Sequence, residues 1–408
     1  MTAAAVVFAV LSGCLYGAVA QITVNHNCTR FRQIPAKWVE EAKKVLHIAY
    51  GHTSHGSQLT DGMTGLVTFT KGGGGPQFAW NNGGTSGALD LHDYAMPGDL
   101  GNYPKWIEYT KTYLNDPKNK DVNVVVWAWC GQVLNYTSQM MIDRYLAPMS
   151  QLEKDYPNVT FVYMTDHLNF WYRPATTARN DQIRDYCIAN KKILYDFADI
   201  ESYDPDGIYY RFAQDSCDYY QYEWGRLLGN WAKDWQSSHK KDVEWYECTA
   251  AHSQPLNGNL KAFAAWWLWA RLAGWPGMTA LTGSARLLSA KTGGTVRLDL
   301  DAGTTRAAKT YVLTGSLSGT SPGLPLPGGQ VTLPLNPDIF TYVIIGLANT
   351  PNFKDFVGVL DNQGKATASL TLGVMPTEIA GFSLHLAYTT AEMPFTFVSN
   401  PVSVKFVP

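Results

Sequence analysis

The chain has 408 residues, enough for two or three domains of ordinary size. Charged residues make up only 16%, the formal net charge is −2 and there is no run of Lys and Arg, so the electrostatic footprint of a nucleic-acid-binding protein is missing. The 14 Trp and 23 Tyr supply many flat rings, which suit sugar faces but more often fill a core.

Thr2 to Leu11 is apolar and too short to span a bilayer, for which about 20 residues are needed. With Ala18-Val19-Ala20 ahead of Gln21, residues 1–20 read as an export signal. Leu11-Ser12-Gly13-Cys14 offers a competing reading, a lipobox that would leave Cys14 as a lipidated first residue. Both destinations are secreted or cell-surface. Cleavage after Ala20 leaves Cys28, Cys130, Cys187, Cys217 and Cys248, an odd number for which export permits disulfides but leaves at least one thiol over. No CxxC pair occurs, so neither a metal nor another cofactor is expected.

From Asn27 onward, apolar strands alternate with helical stretches. The expected helices are Ala36 to Lys44, Tyr103 to Leu114, Gln139 to Tyr156, Asn180 to Asn190 and Leu260 to Ala273. Between them lie strands at Val45 to Tyr50, Asn123 to Trp129, Val159 to Met164 and Ile193 to Phe197. Continuous apolar strands separated by helices predict an α/β domain, a parallel sheet covered on both faces, over residues 21–278. Beyond a boundary near Thr279 the texture changes to short alternating strands divided by Gly, Pro, Ser and Asn: Thr295 to Leu300, Thr310 to Leu313, Val331 to Leu335, Ala366 to Leu370 and Val402 to Phe406. That pattern predicts an all-β sandwich over 285–408. It holds no Trp, the last being Trp275.

The chemistry concentrates at strand ends. Gly51-His52-Thr53-Ser54-His55-Gly56 follows the first strong strand, and in open α/β sheets the carboxyl edge is where ligands bind. Asn81 to Gly87 is a glycine-rich loop, Trp129-Cys130-Gly131-Gln132 ends a second strand, and His252 precedes a long apolar helix. Met164-Thr165-Asp166-His167 ends a third strand at the same edge.

In order and spacing, these blocks resemble the SGNH/GDSL hydrolase family over Leu46 to Trp275. The resemblance implies a three-layer α/β hydrolase in which Ser54 is the nucleophile and His252 the general base. It implies an oxyanion hole built from the N–H groups of Ser54 and of Gly83 or Gly84, with the Gln132 amide. His52, His55, Trp129, Asp166 and His167 are then candidate substrate contacts. The chain departs from the family at three places. Gly-His-Thr-Ser replaces Gly-Asp-Ser, leaving Thr53 and Ser57 as alternatives to Ser54. Gln132 replaces Asn, and Thr249 stands three residues before the His, where the family has an acid. His252 is then oriented by a backbone carbonyl, by Glu247 or by another carboxylate, or it works in a Ser–His dyad.

The implied activity is ester hydrolysis, deacylating a carbohydrate, a polysaccharide or another small ester. One alternative is a glycosidase that uses Asp199 and Glu201; another is a non-catalytic surface or extracellular binding protein that keeps the fold. Asp204-Pro205-Asp206-Gly207 reads as turn chemistry and lacks the distal Glu of an EF-hand loop. The segments Gly315 to Gly323, Leu333 to Asn336, Gly358 to Gly364 and Ser399-Asn400-Pro401 resemble carboxyl-terminal β modules of exported proteins from planctomycete-type bacteria. That resemblance implies export, a bacterial source and a contact with the cell surface or extracellular matrix. It implies no activity, and no transmembrane segment is expected.

Overall fold

A computed structural model describes residues 21–408 apart from positions 172, 207, 276, 278, 279, 304, 305, 321, 322 and 328–330. The expected export segment with Cys14, and the boundary position Thr279, lie outside the described residues.

Seven strands build the first unit: β1 (Ile22–Val24), β2 (His47–Gly51), β3 (Trp80–Asn81), β4 (Leu89–His92), β5 (Val124–Trp127), β6 (Thr160–Met164) and β7 (Ile193–Tyr195). They pair in the order β1-β7-β6-β5-β2-β4-β3, and every pair is parallel. The β-branched run Val124-Val125-Val126 is buried on both sides, as a central parallel strand requires. Alternation then sorts the two faces. Ile48, Tyr50, Val124, Val126, Val162 and Met164 join one core with α1 (Ala36–Val45), α2 (Ser54–Leu66) and α9 (Pro255–Leu272). Ala49, Val125, Trp127, Phe161 and Tyr163 join the other. There they meet α3 (Lys105–Asn115), α5 (Ala147–Asp155) and α6 (Arg173–Ala189). α4 (Ser138–Met141) runs into α5 through a π-helical turn, Ile142–Leu146.

α2 carries no helical signature in the sequence, because Gly56, Gly62 and Gly65 interrupt it. Its glycines serve packing. A Cβ on Gly62 would stand 2.1 Å from the carbonyl oxygen of Gly258, so α2 and α9 cross backbone against backbone. α9 is buried almost all round, Trp266, Trp267 and Trp269 included, which makes these rings core. Lys261 points inside as well. Its ammonium bonds Glu201 Oε2 at 2.7 Å and the Gln58 amide oxygen, all three groups being closed to solvent.

The remaining elements of this unit are α7 (Phe197–Ile200), α8 (Trp231–Ser238) and a hairpin of β8 (Asp218–Tyr220) and β9 (Leu227–Asn230). The second unit has its own strands, none shared with the first sheet. One sheet joins Leu281–Gly283, Gly294–Asp301, Lys365–Leu372 and Phe353–Lys354. The other joins Leu287–Ser289, Val402–Val407, Ser383–Thr390, Thr310–Ser316 and Val357–Val359. Val296, Leu298 and Leu370 of the first sheet share a core with Leu313, Leu386 and Phe406 of the second, so the pair is sandwich-like. The expected strand Val331 to Leu335 shrinks to Thr332–Leu333, since Pro334 cannot donate to a ladder. All five cysteines of the described residues are free thiols.

Candidate active site

The carboxyl ends of β2, β5 and β6 deliver Ser54, Cys130 and His167 to one edge of the sheet. Ser54 is the first residue of α2, where the backbone N–H has no partner within the helix. Thr53 occupies the N-cap but does not cap, because its hydroxyl donates to Asp99 Oδ2 at 2.7 Å. The α2 N-terminus therefore stays open to an anion.

His252 reaches this point from the other end of the unit. Its Nε2 lies 2.9 Å from Ser54 Oγ, across 198 residues of sequence. The residue adopts φ +64°, a left-handed conformation uncommon outside glycine and concentrated at functional sites. Burial and the neighbouring His55 hold its pKa below the ordinary histidine value, so the ring is a neutral acceptor at pH 7. Glu247, one candidate to orient it, is exposed and paired with Lys241 at 3.0 Å.

His55 sits against the same serine from inside. Its Nδ1 lies 3.0 Å from Cys130 Sγ and its Nε2 3.0 Å from Asp215 Oδ2. Burial opposes a charge here, but the bonds to Asp215 and Cys130 outweigh it and raise the imidazole to about 9. Burial likewise opposes the Cys130 thiolate. Hydrogen bonds to the sulfur, led by that from the His55 ring, outweigh it and bring the thiol down to about 6. The pair is thus thiolate and imidazolium at neutral pH. Three imidazoles stack: His55 lies 3.9 Å from His167 and 4.4 Å from His252 between ring centroids.

Other expected residues fall elsewhere. Asn81, next to the Gly83–Gly84 turn, is in register with Asp90 and so with His47, the first residue of β2. Ser54 follows Gly51, the last, about 13 Å further along the strand direction. The Gly83 N–H is also spent on Asp90 Oδ1 at 2.7 Å, so this glycine turn does not reach Ser54. Gln132 does lie at the site, but folds back: its side-chain oxygen accepts the Cys130 N–H at 3.0 Å. His52 is closed to solvent, between the Thr53 carbonyl at 2.8 Å and Asp93 at 2.7 Å. Trp129 is core, its indole N–H donating to the Met164 carbonyl. Asp166 is buried and accepts from the N–H groups of Gly131, Val133 and His167, which fixes the loop after β5. Ser57 bonds back to Ser54 O and to Asp61.

Asp199 and Glu201 do not form an open pair. Glu201 is enclosed with Lys261, and Asp199 binds His26 at 2.5 Å. His55, His167 and Asp215 bring three metal-type donors within reach of one another. The His55 and His167 rings, however, lie 7° from parallel and face to face. A ligating nitrogen points its lone pair in the ring plane, and two stacked planes share no point for one ion. Asp99, Cys130 and Asp215 were not among the site residues expected from the sequence. Cys130 carries a positional signal, the end of a strong strand, whereas Asp215 comes from an irregular loop with none.

Comparison of the sequence with protein-family models and with curated proteins finds no match, so the functional reading rests on this geometry.

Proposed function

We propose that this protein is an exported hydrolase of carboxylic esters, with Ser54 as nucleophile and His252 as general base. The observation that carries this is the 2.9 Å contact between His252 Nε2 and Ser54 Oγ at the carboxyl edge of a parallel sheet. His252 takes the hydroxyl proton as Oγ attacks the ester carbonyl, then returns it to the departing alkoxide. The oxyanion finds the Ser54 N–H at the helix terminus. Water repeats the sequence on the acyl-enzyme.

A sugar-bearing ester is the favoured substrate. Trp171 and Trp224 are 56% and 57% exposed, with ring centroids 5.8 Å apart. They lie on the segments that lead away from His167 and Asp215, and paired exposed indoles offer flat faces to a sugar ring. Trp224 itself has φ +63°, in the left-handed region uncommon outside glycine and concentrated at functional sites. The second unit suits a contact role: its helix Ile339–Gly346 leaves Ile339, Tyr342 and Ile345 exposed together. Among the described residues no helix is long and apolar enough to cross a membrane.

The test is acetate release from p-nitrophenyl acetate and acetylated xylan. Ser54→Ala is expected to abolish turnover and His252→Ala to lower it about 10²–10⁴-fold. A fluorophosphonate should label Ser54. Turnover unchanged in Ser54→Ala would overturn the reading.

A further inference from the structure

Cys130 is a chemically active group at this edge that the serine mechanism leaves unused. Its Sγ faces His55 Nδ1 at 3.0 Å, and His55 in turn faces Asp215 at 3.0 Å. Nucleophile, imidazole and carboxylate in that order are what a thiol needs for acyl transfer. The sulfur also lies 3.5 Å from Ser54 Oγ, at the open N-terminus of α2. An acyl group presented to the serine is therefore presented to the sulfur too. Cys130 is half-buried rather than enclosed. The other thiols differ: burial pushes Cys28 up to about 11, Cys217 and Cys248 to about 12, and Cys187 further.

We propose that Cys130 is a second nucleophile of this site, which accepts acyl groups from activated esters and thioesters with His55 as its base and Asp215 orienting that base. The thiolate attacks the carbonyl carbon and forms an S–C bond. The bond to the leaving oxygen or sulfur breaks, and that atom departs with the electron pair. An alkoxide or thiolate leaving group takes the proton of the His55 imidazolium.

The test uses the full chain. In the unmodified protein, the rate of iodoacetamide labelling at Cys130, read by peptide mapping, should rise with pH to a midpoint near 6. The titratable groups around the sulfur are His55, Asp215, His167, His252, Asp166 and, through Thr53, Asp99. In Ser54→Ala, p-nitrophenyl acetate should release one equivalent of nitrophenolate and leave acetyl on Cys130. His55→Gln in that background should slow this at least tenfold. A labelling midpoint at the ordinary thiol value of about 8.5 would overturn the proposal. So would a Ser54→Ala protein that takes up iodoacetamide but no acetyl at Cys130. The serine reading is judged separately, by fluorophosphonate labelling and by turnover, and either nucleophile can fail while the other stands.

Discussion

The ring of His55 lies flat on the ring of His252, with 4.4 Å between centroids and 17° between planes, so a cation is stacked on the proposed general base. The base pays for that neighbour in proton affinity. Burial and the His55 charge depress His252 below 6.5, and the lowered value sets the acid limb of the reaction. Since the base works only when neutral, kcat/KM for p-nitrophenyl acetate should rise with pH through a midpoint below 6.5. A midpoint above 6.5 would contradict the stacking argument.

Asp215 holds His55 in its protonated form, and His55 holds Cys130 as thiolate. Asp215→Asn keeps the shape and removes the charge, so the thiol should move back up toward its ordinary range. Labelling of Cys130 at pH 6 is expected to slow about threefold to tenfold, since each pKa unit is a factor of ten in thiolate below the midpoint. Equal labelling rates in both proteins would show that Asp215 has no electrostatic role.

Lys261 and Glu201 are both closed to solvent, and each is the other's counter-charge. Lys261→Met leaves a buried carboxylate unpaired and should cost about 3–5 kcal/mol in urea unfolding. Adding Glu201→Gln should recover most of that loss. If the double variant is as unstable as the single one, packing rather than charge is responsible.

Gly62→Ala tests the helix crossing. Alanine favours a helix by about 1 kcal/mol over glycine. Its Cβ, though, would meet backbone at 2.1 Å, and backbone yields less readily than a side-chain tip. Overpacking of about 1–3 kcal/mol should prevail and lower the Tm. A raised Tm would mean that α2 and α9 separate easily.

The parallel sheet and its covering helices are legible because runs such as Val124 to Trp127 need no partner to be recognised. Ser54 and His252 are legible for a related reason: each borders an apolar element whose end fixes where the side chain emerges. Gly83 reads as a site residue only by texture. Its height on the sheet depends on the pairing of two-residue β3 with β4, which no local pattern encodes. The role of Cys130 is hidden in another way. It depends on the ring of His55 turning toward the sulfur and on Asp215 arriving 160 residues later in the chain. α2 escapes notice because the glycines that let it pack also erase its helical signal.

The Gly62–Gly258 crossing gives the molecule a mechanical property. α2 begins at Ser54 and α9 starts three residues after His252, so the close crossing of the two helices lies directly behind the contact between those residues. Gly62 lies eight residues, about 12 Å, along α2 from Ser54. A slip of a few tenths of an ångström at the crossing is carried to the 2.9 Å contact, where hydrogen-bonding reach is soon lost. Heating should then silence the serine several degrees before the sheet melts, and inactivation that recovers on cooling would be its signature.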